Sequence, residues 1–400
     1  MKVKRILIFS LAYYPSYVSG AEAAIKEITN RIDKDDIEFE MITLRFDKKQ
    51  PKTEQIENVL VHRIGFGSMY LSKIMFIPLA VFTALKLHKK NKFDAMWALM
   101  TYMTMPLVGA YILGMKIPYL ITLQDGDAYE KVFERWFIRP ITPLIDYGFR
   151  HATVIQAISN YLSAWPKKRG SEVPVELINN GGNPNDFKSD LFSKSELMDF
   201  RAKLGVTNDE ILIGNTARLV YQKGWEDLIS ALKFLPKKVK LLVVGGGPDE
   251  GKYKDLVSTL KLKNRVIFTG NVDRSEVTKY RRILDIFVMP SRSEGLGNAG
   301  ISARASKIPV ISTQVGGLAD YVFDAKRNPQ KPTTGWAVDP DSPKQIAEAV
   351  MHILNNPEEV KKVTEEAYDM VCRLYTWDSV AKSMQKRVFA RLFKETVNNN

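Results

Sequence analysis

The chain has 400 residues, 45% hydrophobic and 26% charged, which is the composition of a folded protein too long for one core and sets two domains as the expectation. Its single cysteine, Cys372, excludes an internal disulfide, and one Cys with four scattered His excludes a zinc-type Cys/His cluster, so no metal is expected. The formal charge of +13 is spread over both halves, with 24 basic against 19 acidic residues in 1–186 and 34 against 26 in 187–400; it favours phosphates, nucleic acid or an acidic membrane face, with solubility alone as the plain alternative.

The first ten residues carry a basic lead, but their apolar run is too short for a signal peptide and reads as a buried strand. Short apolar runs then alternate with helical patterns, which is the mark of βα units and parallel sheets. Strands are expected at residues 5–9, 38–44, 59–63, 93–98, 118–123, 152–157 and 175–178. The apolar stretch 70–87, with Lys86, His88, Lys89 and Lys90 at its end, is expected to be a buried helix; a helix resting on a membrane by an apolar face is the alternative. Residues 95–115 carry no charge over a length that invites a membrane span. Pro106, Gly109 and Gly114 interrupt the run, and a strand, a turn and a short helix over 103–115 account for it, so a soluble protein is expected.

The turn-rich stretch 179–185 sets the domain boundary, giving an N-terminal domain 1–185, a second domain 186–375 and a final helical segment 376–400. Only residues 398–400 read as a loose tail. Strands in the second domain are expected at 211–215, 239–244, 265–269, 286–289, 309–313 and 336–338. Trp225, Leu228, Ile229 and Leu232 form a helical stripe, as do Ile346, Ala349, Val350 and Ile353. The latter helix is expected to open with a capping box of Ser342 and Gln345, and the next with Asn356 and Glu359. Two Rossmann-like domains follow, with a ligand expected in the cleft where the carboxyl ends of their sheets face each other.

Four loops carry chemistry. Arg218 and Lys223 follow the strand at 211–215, where a guanidinium fork and a mobile ammonium suit a diphosphate; two solvated surface charges are the bland alternative. Ser291-Arg292-Ser293-Glu294-Gly295-Leu296-Gly297-Asn298 leads from a buried strand into a helix whose N-terminal N–H groups suit an anion. A carboxylate would repel phosphate, so Glu294 suits sugar hydroxyls, unless it only caps the helix. Gly20 lies in the loop between the first strand and first helix, the phosphate-facing position of a Rossmann domain, where turn geometry alone explains a lone Gly equally well. Gly245-Gly246-Gly247-Pro248 reads as a turn that leaves room for a nucleotide; no G-x-G-x-x-G stands in a strand–helix setting, which argues against a dinucleotide enzyme.

Together these stretches resemble the retaining glycosyltransferases of family 4, which have the GT-B fold. The words that carry the resemblance are Gly20-Ala21-Glu22, Ala217-Arg218-Leu219 with Lys223-Gly224, Val243 to Pro248, Phe268-Thr269-Gly270, Asp285 to Ser291, Glu294-Gly295-Leu296-Gly297, Pro309-Val310 and Val315-Gly316-Gly317. The resemblance implies an α/β fold of two Rossmann-like parallel-sheet domains across a cleft, and transfer of a hexose-type sugar from UDP or GDP to a glycan or lipid-linked acceptor. It implies a place in cell-surface polysaccharide or glycoconjugate synthesis. Arg218 and Lys223 would neutralise the leaving diphosphate and Glu294 would contact the donor sugar. Gly20, Gly295, Leu296, Gly297 and Asn298 would bind the donor, and the last helix would cross back to the first domain. Neither metal nor cofactor would be needed.

Three positions depart from the family pattern. Ser302 stands where a second carboxylate would hold the ribose, leaving Ser302 as the donor-binding residue there. Gln124, followed by Asp125, stands where a His is usual on the acceptor side. Ser19 replaces the first of two glycines. These leave open a catalytically weak or inactive nucleotide-sugar-binding accessory protein, and an inverting enzyme with Asp125 as base. A cytoplasmic protein is expected, with peripheral contact to the inner face of an anionic membrane left open. Nucleic acid is not an expected partner, since no aromatic-interleaved basic motif is present.

Overall fold

A computed structural model describes residues 2–15, 19–67 and 69–394. The expected tail at 398–400, the last residues of the expected C-terminal helix and positions 16–18 of the first loop lie outside these. The chain divides into two units: Met1–Asn180 with Trp377–Asn400, and Gly181–Thr376.

The first unit runs β1 (Lys4–Phe9), α1 (Gly20–Thr29), β2 (Ile37–Leu44), β3 (Thr53–Ile56), β4 (Val59–Ile64), α2 (Met69–Lys90), β5 (Ala95–Leu99), α3 (Thr104–Ile112), β6 (Tyr119–Leu123), α4 (Tyr129–Phe133), α5 (Thr142–His151), β7 (Val154–Ala157), α6 (Asn160–Lys168) and β8 (Val175–Leu177). The second runs α7 (Lys194–Lys203), β9 (Ile211–Thr216), α8 (Trp225–Ala231), β10 (Val239–Val244), α9 (Glu250–Thr259), β11 (Val266–Gly270), α10 (Val277–Arg282), β12 (Ile286–Met289), α11 (Asn298–Ala305), β13 (Val310–Thr313), β14 (Trp336–Val338), α12 (Pro343–Asn355) and α13 (Pro357–Leu374). The chain then returns to the first unit through α14 (Trp377–Ser383), a π-helical turn Met384–Phe389 and α15 (Ala390–Lys394).

In the first unit the strand order is β3-β4-β2-β1-β5-β6-β7-β8, parallel except for β3 against β4. β5 and β6 are buried along their whole length, as continuous apolar runs must be when helices cover both faces of a parallel sheet. One face is covered by α1 and the C-terminal segment. Phe389 lies 5.4 Å from the Trp97 ring and 6.1 Å from Phe39, in a cluster with Ile25, Ile28, Trp377 and Leu392. Burying a ring of this size contributes about 2–3 kcal/mol. Arg387 and Arg391 both close on Glu176, at 2.6 Å each, and tie the segment to β8.

The uncharged stretch is a strand, a short 3-10 turn Thr101–Met103 and α3, and no described helix is long and apolar enough to cross a membrane. Helix α2 buries Phe76, Ala80, Val81 and Ala84, so it is a core helix, while its opposite side stays exposed. β3 was absent from the expected strands. It is a half-exposed edge strand, Thr53-Glu54-Gln55-Ile56, with no apolar alternation to reveal it.

The second sheet is parallel throughout, in the order β11-β10-β9-β12-β13-β14. Trp225, Leu228, Ile229 and Leu232 are fully buried against it, with Ile346 and Val350 of α12 in the same core. Helices α12 and α13 begin at their prolines, but neither expected capping box forms. Gln345 instead binds Asp339, accepting from its N–H at 2.8 Å and donating to its carboxylate at 2.9 Å. Glu359 meets His352 Nε2 at 2.9 Å, and the Asn356 amide donates to the His352 carbonyl at 2.7 Å. In both cases a nearer polar partner outcompetes the cap.

Candidate active site

In the second unit two loops at the carboxyl ends of β9 and β12 are built onto each other. Gly224 has φ +67°, and a Cβ there would sit 1.9 Å from the Pro290 carbonyl oxygen, so only glycine permits the approach. The Arg292 N–H donates to the Gln222 carbonyl at 2.7 Å and closes the same seam. This contact delivers Lys223 over the end of β12. Its ammonium lies 2.5 Å from Glu294 Oε1, which also accepts from the buried Ser291 hydroxyl at 3.1 Å. Glu294 is only 6% exposed. Its carbonyl accepts from Gly317 N–H at 3.1 Å, and a Cβ on Gly316 would lie 2.0 Å from that oxygen. The second glycine word therefore forms the bed on which the Glu294 loop lies.

The glycine run after β10 holds the neighbouring loop. Leu219 N–H donates to Gly246 O at 2.9 Å, Asp249 N–H donates to Leu219 O at 3.1 Å, and a Cβ on Gly247 would come within 2.3 Å of Leu219 O. These glycines leave room for the Arg218 loop itself. The Trp225 indole, fully buried, donates to the Arg218 carbonyl at 3.0 Å. The Arg218 side chain is exposed and makes no ion pair among the described residues. It is a fixed backbone carrying an uncommitted cation.

The turn Gly295-Leu296-Gly297 leads into α11 at Asn298. Gly297 has φ +84°, its carbonyl accepts from the Tyr321 hydroxyl at 2.7 Å, and no side chain caps the helix. The first-turn N–H groups of α11 are thus not taken by a side-chain cap. Leu296 and Gly295 are buried, and Gly297 and Asn298 half-buried. Behind this turn lies Arg304, which sequence reasoning did not single out. Its guanidinium is buried over the Tyr321 ring at 4.8 Å, donates to the carbonyls of Gly300 and Thr334, and has its pKa pushed down by burial to about 10.

Ser302, one turn further along α11, is 3% exposed, and its hydroxyl accepts from the Asn183 N–H at 2.9 Å. Asn183 in turn donates to Thr278 Oγ1 at 3.2 Å. The structure therefore commits Ser302 to the chain's own backbone.

The other candidates belong to the first unit. Gly20 is the exposed first residue of α1, preceded by Ser19 as N-cap; Glu22 accepts from the Ser19 N–H at 2.6 Å in a capping box. Gln124 accepts from the Asn180 amide at 2.9 Å. Asp125 is buried and accepts from Thr101 Oγ1 at 2.8 Å and Thr101 N–H at 3.2 Å. Burial drives its carboxyl up to about 6, against the lowering effect of the Thr101 bonds. Among the described residues no group of three or more His, Cys, Asp and Glu is placed to hold a metal ion.

Residues 198–370, which span these loops, match the family model described as glycosyl transferases group 1. The match covers somewhat less than half of the chain, and the relatives found are named glycosyltransferases. An uncharacterized glycosyltransferase of Methanocaldococcus jannaschii is 28% identical over 94% of this chain and 96% of its own length. The GDP-mannose-dependent alpha-(1-6)-phosphatidylinositol monomannoside mannosyltransferase of Mycobacterium tuberculosis is 28% identical over 58% of this chain and 60% of its own. HepE of Anabaena, solved in complex with UDP-glucose, superposes with a TM-score of 0.78 at 17% identity, covering 96% of this chain and 99% of that one. The two parallel-sheet α/β units are those of the GT-B glycosyltransferases. The chain is a glycosyltransferase, an enzyme of glycosyl transfer.

Proposed function

We propose that this glycosyltransferase moves a hexose-type sugar, with retention, from UDP or GDP to a glycan or lipid-linked acceptor in cell-surface polysaccharide or glycoconjugate synthesis. The observation that carries the reading is the Lys223–Glu294 contact beside the uncommitted Arg218. Glu294 holds the ammonium at a defined place, and Arg218 is left with a full guanidinium fork for phosphate oxygens. In HepE the bound donor is UDP-glucose, and the mycobacterial relative is named for GDP-mannose and a phosphatidylinositol acceptor; both support a nucleotide-diphosphate donor, and the second a lipid-linked acceptor.

In this reading the bond from the anomeric carbon to the diphosphate oxygen breaks while the acceptor oxygen bonds to that carbon on the same face. The acceptor's proton passes to the departing phosphate oxygen, so no separate strong base is needed and Gln124 in place of His is tolerated. Arg218 and Lys223 stabilise the charge that develops on the diphosphate, a role in which electrostatics supplies the largest share of catalysis. The pair does this without a metal ion. Glu294 and the Gly295–Asn298 turn receive the sugar and phosphate, with the α11 N–H groups as anion donors.

The test is a thermal-shift screen of UDP-, GDP- and other nucleotide sugars with and without EDTA, followed by product analysis by NMR. One donor class should raise the melting temperature in both conditions, and the product linkage should keep the donor's anomeric configuration. No stabilisation by any nucleotide sugar would overturn the donor assignment, and inversion would overturn the mechanism. Binding with no transfer across an acceptor panel would instead favour an accessory protein.

A further inference from the structure

The first unit carries an exposed surface that the sugar-transfer chemistry does not use. The loop between α4 and α5 presents Trp136 at 83% exposure and Phe137 at 50%, flanked by exposed Arg135 and Arg139. A tryptophan so exposed between two arginines is a poor surface for water and a good one for a bilayer interface, where an amphipathic ring sits at headgroup depth. Helix α2 adds a second element. Its outward side aligns Met75, Pro78 and Phe82, the last at 68% exposure, with Lys86 and Lys89 continuing the same stripe.

These elements belong to one helical layer. A Cβ on Gly109 of α3 would meet Val81 of α2 at 2.7 Å, and one on Gly148 of α5 would meet Thr104 of α3 at 2.2 Å, so α3 packs closely between the other two. The charge of the segment from α2 to β6 is one-sided, whereas the α4–α5 segment that carries Trp136 is mixed, with Glu130 and Glu134 beside Lys131, Arg135 and Arg139. From residue 69 to 123 the sequence holds six lysines (73, 86, 89, 90, 92 and 116) against one acidic residue, Asp94. Lys73, Lys86, Lys89 and Lys90 make no ion pair among the described residues. Exposed apolar anchors and unneutralised lysines are the two signals that together give reversible attachment to an anionic bilayer.

We infer that this layer, through Trp136, Phe137 and the outer stripe of α2, is a docking surface for an anionic lipid membrane. The inference rests on the lipid-linked reading of the acceptor, which it deepens by placing the enzyme on the surface that holds such an acceptor. Attachment is peripheral: the apolar groups enter the headgroup region and the lysines remain at its charged face.

The experiment is flotation of the full chain with vesicles of phosphatidylglycerol and phosphatidylcholine, against phosphatidylcholine alone, at low and high salt. The protein should float with the anionic vesicles only, and less at high salt. Trp136→Ser with Phe137→Ser should lower partitioning by about tenfold. Lys86→Glu with Lys89→Glu should lower it by at least about tenfold at low salt, the difference closing at high salt. All four side chains are solvent-facing, so unfolding midpoints and the thermal shift by nucleotide sugars should stay as in the parent. That second readout separates loss of docking from failure of the donor assignment. Equal flotation of the double serine variant, salt-insensitive binding to neutral vesicles, or a parent dimer that the serine variant converts to monomer would each overturn the inference.

Discussion

Gly224 and Pro290 stand so close that a single methyl group would place carbon 1.9 Å from a carbonyl oxygen. Two loops that share no sequence neighbourhood are thereby fused, and the fusion sets where Lys223 meets Glu294. Gly224→Ala must relieve both the overlap and a left-handed φ of +67°. It should lower the free energy of unfolding by more than about 2 kcal/mol in urea titration. Transfer should fall with it, because the loop can only relax by moving the ammonium.

The two cations should separate in their effects. Arg218 is exposed and unpaired among the described residues, so Arg218→Ala should leave the urea midpoint unchanged while lowering turnover by about 10²- to 10³-fold. Lys223→Ala should lower turnover comparably, but it also strips a partner from a carboxylate that is 6% exposed. A stability loss of about 1–2 kcal/mol is expected, since Ser291 remains as a donor and the lysine is itself partly solvated. Near-normal transfer in both variants would sink their assignment.

Much of this site was legible because it lies on loops after buried strands. Val239–Val244, Ile286–Met289 and Trp336–Val338 are apolar runs bounded by turn residues, and such runs announce parallel strands directly. Arg218, Lys223 and Glu294 could be named because cations and carboxylates at strand ends are chemically conspicuous. What stayed hidden depends on choices among polar partners. Nothing in the spacing of Ser342 and Gln345 reveals that Asp339 folds back to take the glutamine. The C-terminal segment shows an apolar pattern, yet Phe389 packs on Trp97 and Phe39, which lie 292 and 350 residues earlier in the chain. The glycine run 245–247 reads in the sequence as space for a nucleotide, and nothing in the spacing reveals that Gly245 and Gly247 also seat the backbone of Ala217 and Leu219.

Asp125 makes stability depend on pH in a defined direction. Its carboxyl is raised by burial from an ordinary 3.8 to about 6, so the native state holds the proton more tightly than the unfolded chain. The stabilising contribution of the protonated form is complete below about 4 and is lost as pH rises through about 6, a change of about 3 kcal/mol. Asp125→Asn retains an oxygen that can accept from Thr101 and removes the titration. The difference in unfolding free energy between variant and parent should therefore grow from pH 4 to pH 7 and then level. A constant difference across that range would show that the carboxyl does not titrate there.

Ser302 offers the sharpest test of how this chain departs from its family pattern. With its hydroxyl accepting from Asn183 N–H and 3% of its surface exposed, it holds the chain segment entering the second unit. Ser302→Ala leaves that N–H without its partner and should lower stability by about 1–2 kcal/mol, while the affinity for a nucleotide sugar, read by thermal shift, stays near the parent value. Ser302→Glu restores the carboxylate that the family pattern has there, but it must fit two carbons and a charge into a buried site already occupied by the Asn183 backbone. It should destabilise more than the alanine variant, by about 2–4 kcal/mol. If the glutamate variant instead bound donor more tightly at undiminished stability, Ser302 would face the ligand and its structural assignment would be wrong.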